Sequence, residues 1–229
     1  MNRSSAWLAP ALAAVVLAVG CFEGGFGAGR LLARGDTGVA AAPVVGAAPI
    51  VTGPSVPGHL PVVALVGDSL LYGGVLPDSQ APPSLIQRAD PADLVIDLAA
   101  GATRPADVLT RLTQVRLLHP DVIVLWLGST DADVKEPVAT FEADYGALLD
   151  RLTAPHLILV TPIATRAAGA ASIAPFVDAV TRAGAARHLT VIDAGAGLTP
   201  ADYDTDGVHL IPAATAKVAG LITAALTSR

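Results

Sequence analysis

The sequence predicts one α/β domain in three layers, a five-stranded parallel sheet with helices on both faces, and three observations predict it. Short apolar, β-branched runs recur from residue 61 onward with no polar alternation, as strands covered on both faces do. Amphipathic stretches of helical period lie between them, which gives a βαβ order. Gly67, Gly101 and Gly128 fall beyond the carboxyl ends of three of the runs, where an open parallel sheet places its binding crevice. At 229 residues the chain holds one sizeable domain with an appendage, and is too short for two large ones.

The appendage comes first. Arg3 and the terminal amine form a short positive region, residues 6–22 are almost uniformly apolar, and Glu23 ends the run, which is the layout of an export signal. Residues 1–34 are therefore expected to take the chain out of the cytoplasm. Leu17-Ala18-Val19-Gly20-Cys21 resembles a bacterial lipobox and makes Cys21 a candidate for lipid attachment. A single-pass anchor is the alternative, because the apolar span continued to residues 26–28 approaches bilayer length; simple secretion is the third. The expected partner of this segment is a membrane, and the expected location is the cell envelope or the exterior.

Residues 35–60 are Ala, Val, Gly and Pro with hardly a charge, and no period persists. They read as a partly extended spacer. From residue 61 to 229 the domain follows, with strands expected over 62–66, 94–97, 122–127, 157–161 and 190–192. Helices are expected over 84–88, 105–117, 138–152, 173–187 and 212–227. In the second of these Val108, Leu109, Leu112 and Val115 form an apolar stripe, with Arg116 on the charged edge. Right-handed crossovers between successive strands give the flavodoxin-like order 2-1-3-4-5.

Composition removes some functions. A net charge of -6 offers no basic surplus to neutralise phosphates, so no nucleic-acid partner is expected. Cys21 is the single cysteine and cannot form an intramolecular disulfide. No His, Cys or carboxylate group has metal-ligand spacing, and Gly67 is not followed by the lysine-bearing pattern of a phosphate loop; neither metal nor cofactor is expected.

Ser69 is the residue around which chemistry is expected. It follows the first apolar run in Val66-Gly67-Asp68-Ser69, at the strand end where this architecture presents reactive groups. A hydroxyl attacks near neutral pH only when a base takes its proton, and a third group must orient that base. Of five histidines, His59 lies in the spacer, and His119, His156 and His188 precede strands at the wrong end of the sheet. His209 alone follows the last strand, with Asp206 three residues earlier. The pair also reads as a helix cap with a nearby surface histidine.

Gly67-Asp68-Ser69-Leu70 and Asp206-x-x-His209 together resemble the first and last blocks of the GDSL, or SGNH, hydrolase family, serine esterases on a flavodoxin-like sheet. The resemblance spans about residues 61–226. It implies that Ser69 is the nucleophile, His209 the general base and then acid, and Asp206 the group that fixes the imidazole; Asp202 and Asp204 do not stand at the family spacing. It further implies an oxyanion hole of three donors: the Ser69 amide, a glycine amide and an asparagine side chain. Leu98-Ala99-Ala100-Gly101 resembles the second block, so Gly101 is the candidate glycine donor, an ordinary turn being the other reading.

The third block departs from the family pattern. Where Gly-x-Asn-Asp belongs, the chain has Gly128-Ser129-Thr130-Asp131, with Thr130 at the asparagine position. A threonine hydroxyl supplies one proton and can rotate away. A lost donor of this kind typically costs about 3 kcal/mol of transition-state stabilisation. Ser129 stands in only if the turn is rotated. Asp68 reads as a structural carboxylate bonding turn amides, and Trp126 as core. Arg104 is a candidate for holding an anionic or sugar group in the pocket, or is a solvated charge at a helix start.

The resemblance implies cleavage of carboxyl esters, commonly acetyl or short acyl groups on small molecules or glycans, through an acyl-enzyme. Two other readings stand beside it: an envelope protein that keeps the fold but binds glycan or protein without turnover, and an O-acyltransferase that releases the same acyl-enzyme to a sugar hydroxyl.

Overall fold

The computed structural model describes residues 60–166 and 168–228. The expected export or anchor segment with Cys21, and the spacer up to residue 59, lie outside the described residues. Among the described residues no helix is long and apolar enough to cross a membrane.

Five strands, β1 (Val62–Gly67), β2 (Leu94–Asp97), β3 (Val122–Trp126), β4 (His156–Val160) and β5 (Thr190–Ile192), form one sheet. They pair in the order β2-β1-β3-β4-β5, every pair parallel, as the βαβ alternation predicts. The register sets Leu65 beside Val124 and Val124 beside Ile158. Every residue of β1 and β3 is buried. The outer strands differ from the expectation of two covered faces: in β2 Leu94 is 45% exposed, and Thr190 of β5 is exposed too. An edge strand has one neighbour, so its ends meet solvent.

Eight helices are described: α1 (Ser69–Tyr72), α2 (Pro82–Ala89), α3 (Pro105–Thr110), α4 (Leu112–Leu117), α5 (Ser129–Asp133), α6 (Val138–Leu149), α7 (Ala170–Ala186) and α8 (Pro212–Thr227). The strand period of two divides them between the faces. Val63 and Leu65 of β1 and Val124 and Trp126 of β3 pack with Ile86 of α2 and Val218 and Ile222 of α8. Ala64 and Val66, with Ile123 and Leu125, pack instead with Val108 and Val115, Phe141 and Tyr145, and Phe176 and Val180 of α3, α4, α6 and α7. Each such aliphatic side chain stabilises the fold by about 1.5–3 kcal/mol relative to exposure. Phe141 adds ring contacts at 5.1 Å to Tyr145 and to Phe176, joining α6 to α7.

The expected helix over 105–117 is two helices, for a local reason. Thr110 donates its hydroxyl to the Asp107 carbonyl at 2.7 Å, the acceptor that a continuous helix would give to the Arg111 amide. Arg111 N–H bonds to Val108 O instead, at 3.0 Å, and takes φ −116° and ψ 18°. The apolar stripe survives the break, since Val108, Leu112 and Val115 are all buried.

Candidate active site

The first half of the site is the turn from β1 into α1. Gly67 runs so close to β3 that a Cβ on it would lie 2.7 Å from Trp126 O, and the Asp68 amide donates to that same oxygen at 3.3 Å. Asp68 then caps α1, its Oδ1 accepting from Leu70 N at 3.0 Å. This fixes Ser69 as the first helical residue, with its amide among those that a helix start leaves without an intrahelical acceptor.

The second half is the loop before α8. Asp206 Oδ1 accepts from the amides of Val208 (2.8 Å) and His209 (3.0 Å), and its Oδ2 lies 2.6 Å from His209 Nδ1. Burial works against ionisation here, but the His209 bond and the two amides outweigh it and bring the Asp206 carboxyl down to about 2. The carboxylate is thus ionised near neutral pH and holds the imidazole by Nδ1. His209 Nε2 is turned inward, buried, with no hydrogen-bond partner among the described residues. Ser69 and His209 border the same cavity of about 10 Å³. Ser69 and His209 therefore meet over one rim of the sheet, unbonded in this state; such contacts commonly tighten only when substrate is bound.

His119, His156 and His188 lie at the opposite ends of the strands. His156 opens β4, while His119 and His188 stand just before β3 and β5 in left-handed turns, at φ 45° and 54°.

Ser69 also lines a cleft of about 180 Å³ with Thr130, Ala102, Val134, Ile163 and Thr165. Thr130 does reach this cleft, but its hydroxyl lies 3.3 Å from Asp68 Oδ2. Asp68 is 1% exposed; burial pushes its carboxyl up to about 6, in spite of bonds from Leu70 and Thr130 and the nearby His209. Ser129 is buried, and its oxygen accepts from Ile163 N at 3.0 Å, which ties the loop after β4 to the loop after β3. Gly101 is exposed in the turn after β2 and is not among the residues lining the cleft; its neighbour Ala102 is.

Arg104 is held away from that lining. Its Nη1 lies 3.4 Å from Glu136 and its Nε 3.7 Å from Asp107. Asp131, last residue of the third block, is wholly buried; burial and then the Glu136 carboxylate beside it push its carboxyl up. Among the described residues no three His, Cys, Asp or Glu side chains gather to hold a metal ion.

Sequence reasoning missed the loop after β4. Ile163 and Thr165 line both the Ser69 cleft and an adjoining cavity of about 300 Å³, and Arg166 N donates to Gly207 O at 2.6 Å beside His209. The signal was available: loops at the carboxyl ends of parallel strands form the crevice, and Thr161-Pro162 follows β4.

The family model of the GDSL-like lipase/acylhydrolases matches residues 65–217. No curated protein matches the chain. Among solved structures, the lipase/acylhydrolase from Enterococcus faecalis is 25% identical, with a TM-score of 0.67 over 74% of this chain and 96% of that one. Est24, a carbohydrate acetylesterase from Sinorhizobium meliloti, is similar at 14% identity and a TM-score of 0.64, over 73% and 99%. Axe2, an acetylxylan esterase from Geobacillus stearothermophilus, is 15% identical with a TM-score of 0.58, over 73% and 93%. The last two likenesses concern the fold alone.

Proposed function

The chain belongs to the GDSL-like lipase/acylhydrolase family, and from that premise we propose that it cleaves short-chain carboxyl esters through an acyl-enzyme on Ser69. The observation that carries the proposal is the orientation of His209: Nδ1 on Asp206, Nε2 buried and without a hydrogen-bond partner among the described residues, and a small cavity shared with Ser69.

Ser69 Oγ attacks the ester carbonyl carbon while His209 Nε2 takes the hydroxyl proton, and Asp206 stabilises the imidazolium. The carbonyl oxygen becomes an oxyanion beside the Ser69 amide; Gly101, outside the cleft lining, joins the hole only if its turn moves toward Ser69. Collapse breaks the bond to the alkoxy oxygen, which leaves with the proton from His209 and gives the acyl-enzyme. Water then attacks, His209 takes and returns a proton, and the carboxylic acid departs with Ser69 restored.

A cleft of about 180 Å³ walled by Ala102, Val134 and Ile163 suits an acetyl or butyryl group better than a long chain. With an export segment expected over residues 1–34, acetylated glycans of the cell envelope are the natural substrate class, in keeping with the acetylesterases of the same fold. A non-hydrolytic, glycan-binding envelope protein is the second reading, favoured by one observation: the Thr130 hydroxyl is directed at Asp68.

One experiment separates the two. The full chain should release nitrophenol from nitrophenyl acetate at least 100-fold faster than Ser69→Ala, and a fluorophosphonate probe should label Ser69. Rates equal to Ser69→Ala, with no labelling, would leave the binding reading in possession.

A further inference from the structure

Gly74 stands two residues beyond α1, at φ +58°, and its α-carbon faces the ring of His209. A Cβ on Gly74 would fall 2.7 Å from His209 Cγ and 2.9 Å from Nε2, and closer still to Cδ2. Real Cβ atoms do not approach other heavy atoms so closely, so the ring would have to move. It has little room to do so. Asp206 holds the opposite edge at 2.6 Å from Nδ1, and that carboxylate is itself held by the amides of Val208 and His209.

We propose that Gly74 is a positioning residue for the general base: its bare main chain is the seat that holds the His209 imidazole with Nε2 facing Ser69. The proposal rests on the reading of His209 as the base, and adds that the nucleophile and the seat are parts of one short segment. Gly73 N donates to Ser69 O at 2.9 Å, and Leu76 N to Gly73 O at 3.0 Å, so the turn carrying Gly74 is built directly on the turn carrying the serine. The separation between hydroxyl and imidazole is thereby set by local chain geometry on one side and by the Asp206 loop on the other. The seat also covers Nε2, which has no hydrogen-bond partner among the described residues.

The competing explanation is that Gly74 serves only to adopt a left-handed turn. Asparagine accepts that conformation far better than alanine, yet carries the same Cβ. Gly74→Ala and Gly74→Asn in the full chain therefore separate the two. A seat predicts that both variants lose about 100-fold or more in kcat on nitrophenyl acetate with KM changed less than threefold, and that the higher thermal stability of Gly74→Asn does not restore kcat. A second readout does not depend on turnover: the low-field proton resonance of His209 Nδ1–H, assigned by its loss in His209→Ala, should shift or broaden in both variants. Wild-type kcat in Gly74→Asn, or an unchanged resonance in a folded variant, overturns the proposal. If the wild-type chain itself hydrolyses no ester, the esterase reading fails, and the resonance still decides whether Gly74 seats the ring.

Discussion

Replacing Thr130 by asparagine should raise turnover, and the size of the gain follows from where the threonine proton goes. Thr130 has one hydroxyl proton, and Asp68 Oδ2 is its acceptor at 3.3 Å. Asp68 is 1% exposed, so little water can replace that bond, and leaving a buried acceptor unpaired costs about 1–3 kcal/mol. An oxyanion competing for the same proton therefore gains little net, and the hole lacks nearly a full donor, worth about 2.7–4 kcal/mol. Asparagine has two amide protons: one can stay on Asp68 while the other points into the cleft of about 180 Å³. Subtracting about 1 kcal/mol for fixing the longer side chain leaves about 2–3 kcal/mol, a gain of roughly 30- to 150-fold. The assay is kcat and KM on nitrophenyl acetate for wild type, Thr130→Asn and Thr130→Val. The gain should appear in kcat with KM little changed, because the bond forms only in the transition state, while Thr130→Val keeps kcat within about threefold. No gain in Thr130→Asn together with a 100-fold loss in Thr130→Val would refute the reasoning, since the hydroxyl would then be a working oxyanion donor.

Two further outcomes follow from the carboxylates. Asp206→Asn removes the charge 2.6 Å from His209 Nδ1 and leaves the imidazole free to take the wrong tautomer, so kcat should fall by about 10²- to 10⁴-fold; steady-state kinetics within threefold of wild type would remove Asp206 from the triad. Asp68 titrates at about 6 in the folded chain against 3.8 unfolded, so the folded state binds its proton more tightly and stability falls as pH rises from about 4 to about 6. The loss is roughly 3 kcal/mol, and urea unfolding from pH 4 to 7 should show it as the excess loss of wild type over Asp68→Asn, since the buried Asp131, also pushed up, titrates in both; equal slopes in the two proteins would mean that Asp68 is not the group responsible.

The inner strands β1 and β3 were legible because each is a run of apolar residues that only burial on two faces explains, Val62–Gly67 and Val122–Trp126. The sheet order followed from the helices between them. α1 and α5 escaped notice for a matching reason: at four and five residues they are shorter than the window in which a helical period can be seen. The break between α3 and α4 was hidden because it depends on one hydroxyl, Thr110, choosing the Asp107 carbonyl, while the apolar stripe that marks the helix runs on unbroken.

The two halves of the site were unequally legible, and the difference is one of distance along the chain. Asp206 and His209 interact within a single loop, so their spacing announces their contact. The partnership of Thr130 with Asp68 joins residues 62 positions apart, and the resemblance of Gly128-Ser129-Thr130-Asp131 to the third block implies a replaced amide without telling where the hydroxyl turns. That turn changes the meaning of the substitution. An absent amide subtracts one donor from the oxyanion hole; a hydroxyl bound to a buried carboxylate also opposes the burial that raises Asp68. On the proposed mechanism, Thr130 therefore trades transition-state stabilisation for support of the residue that caps α1 and places Ser69. Asparagine at 130 can serve both needs because it carries two protons, valine serves neither, and the contrast between them in kcat and in stability measures each half of that trade separately.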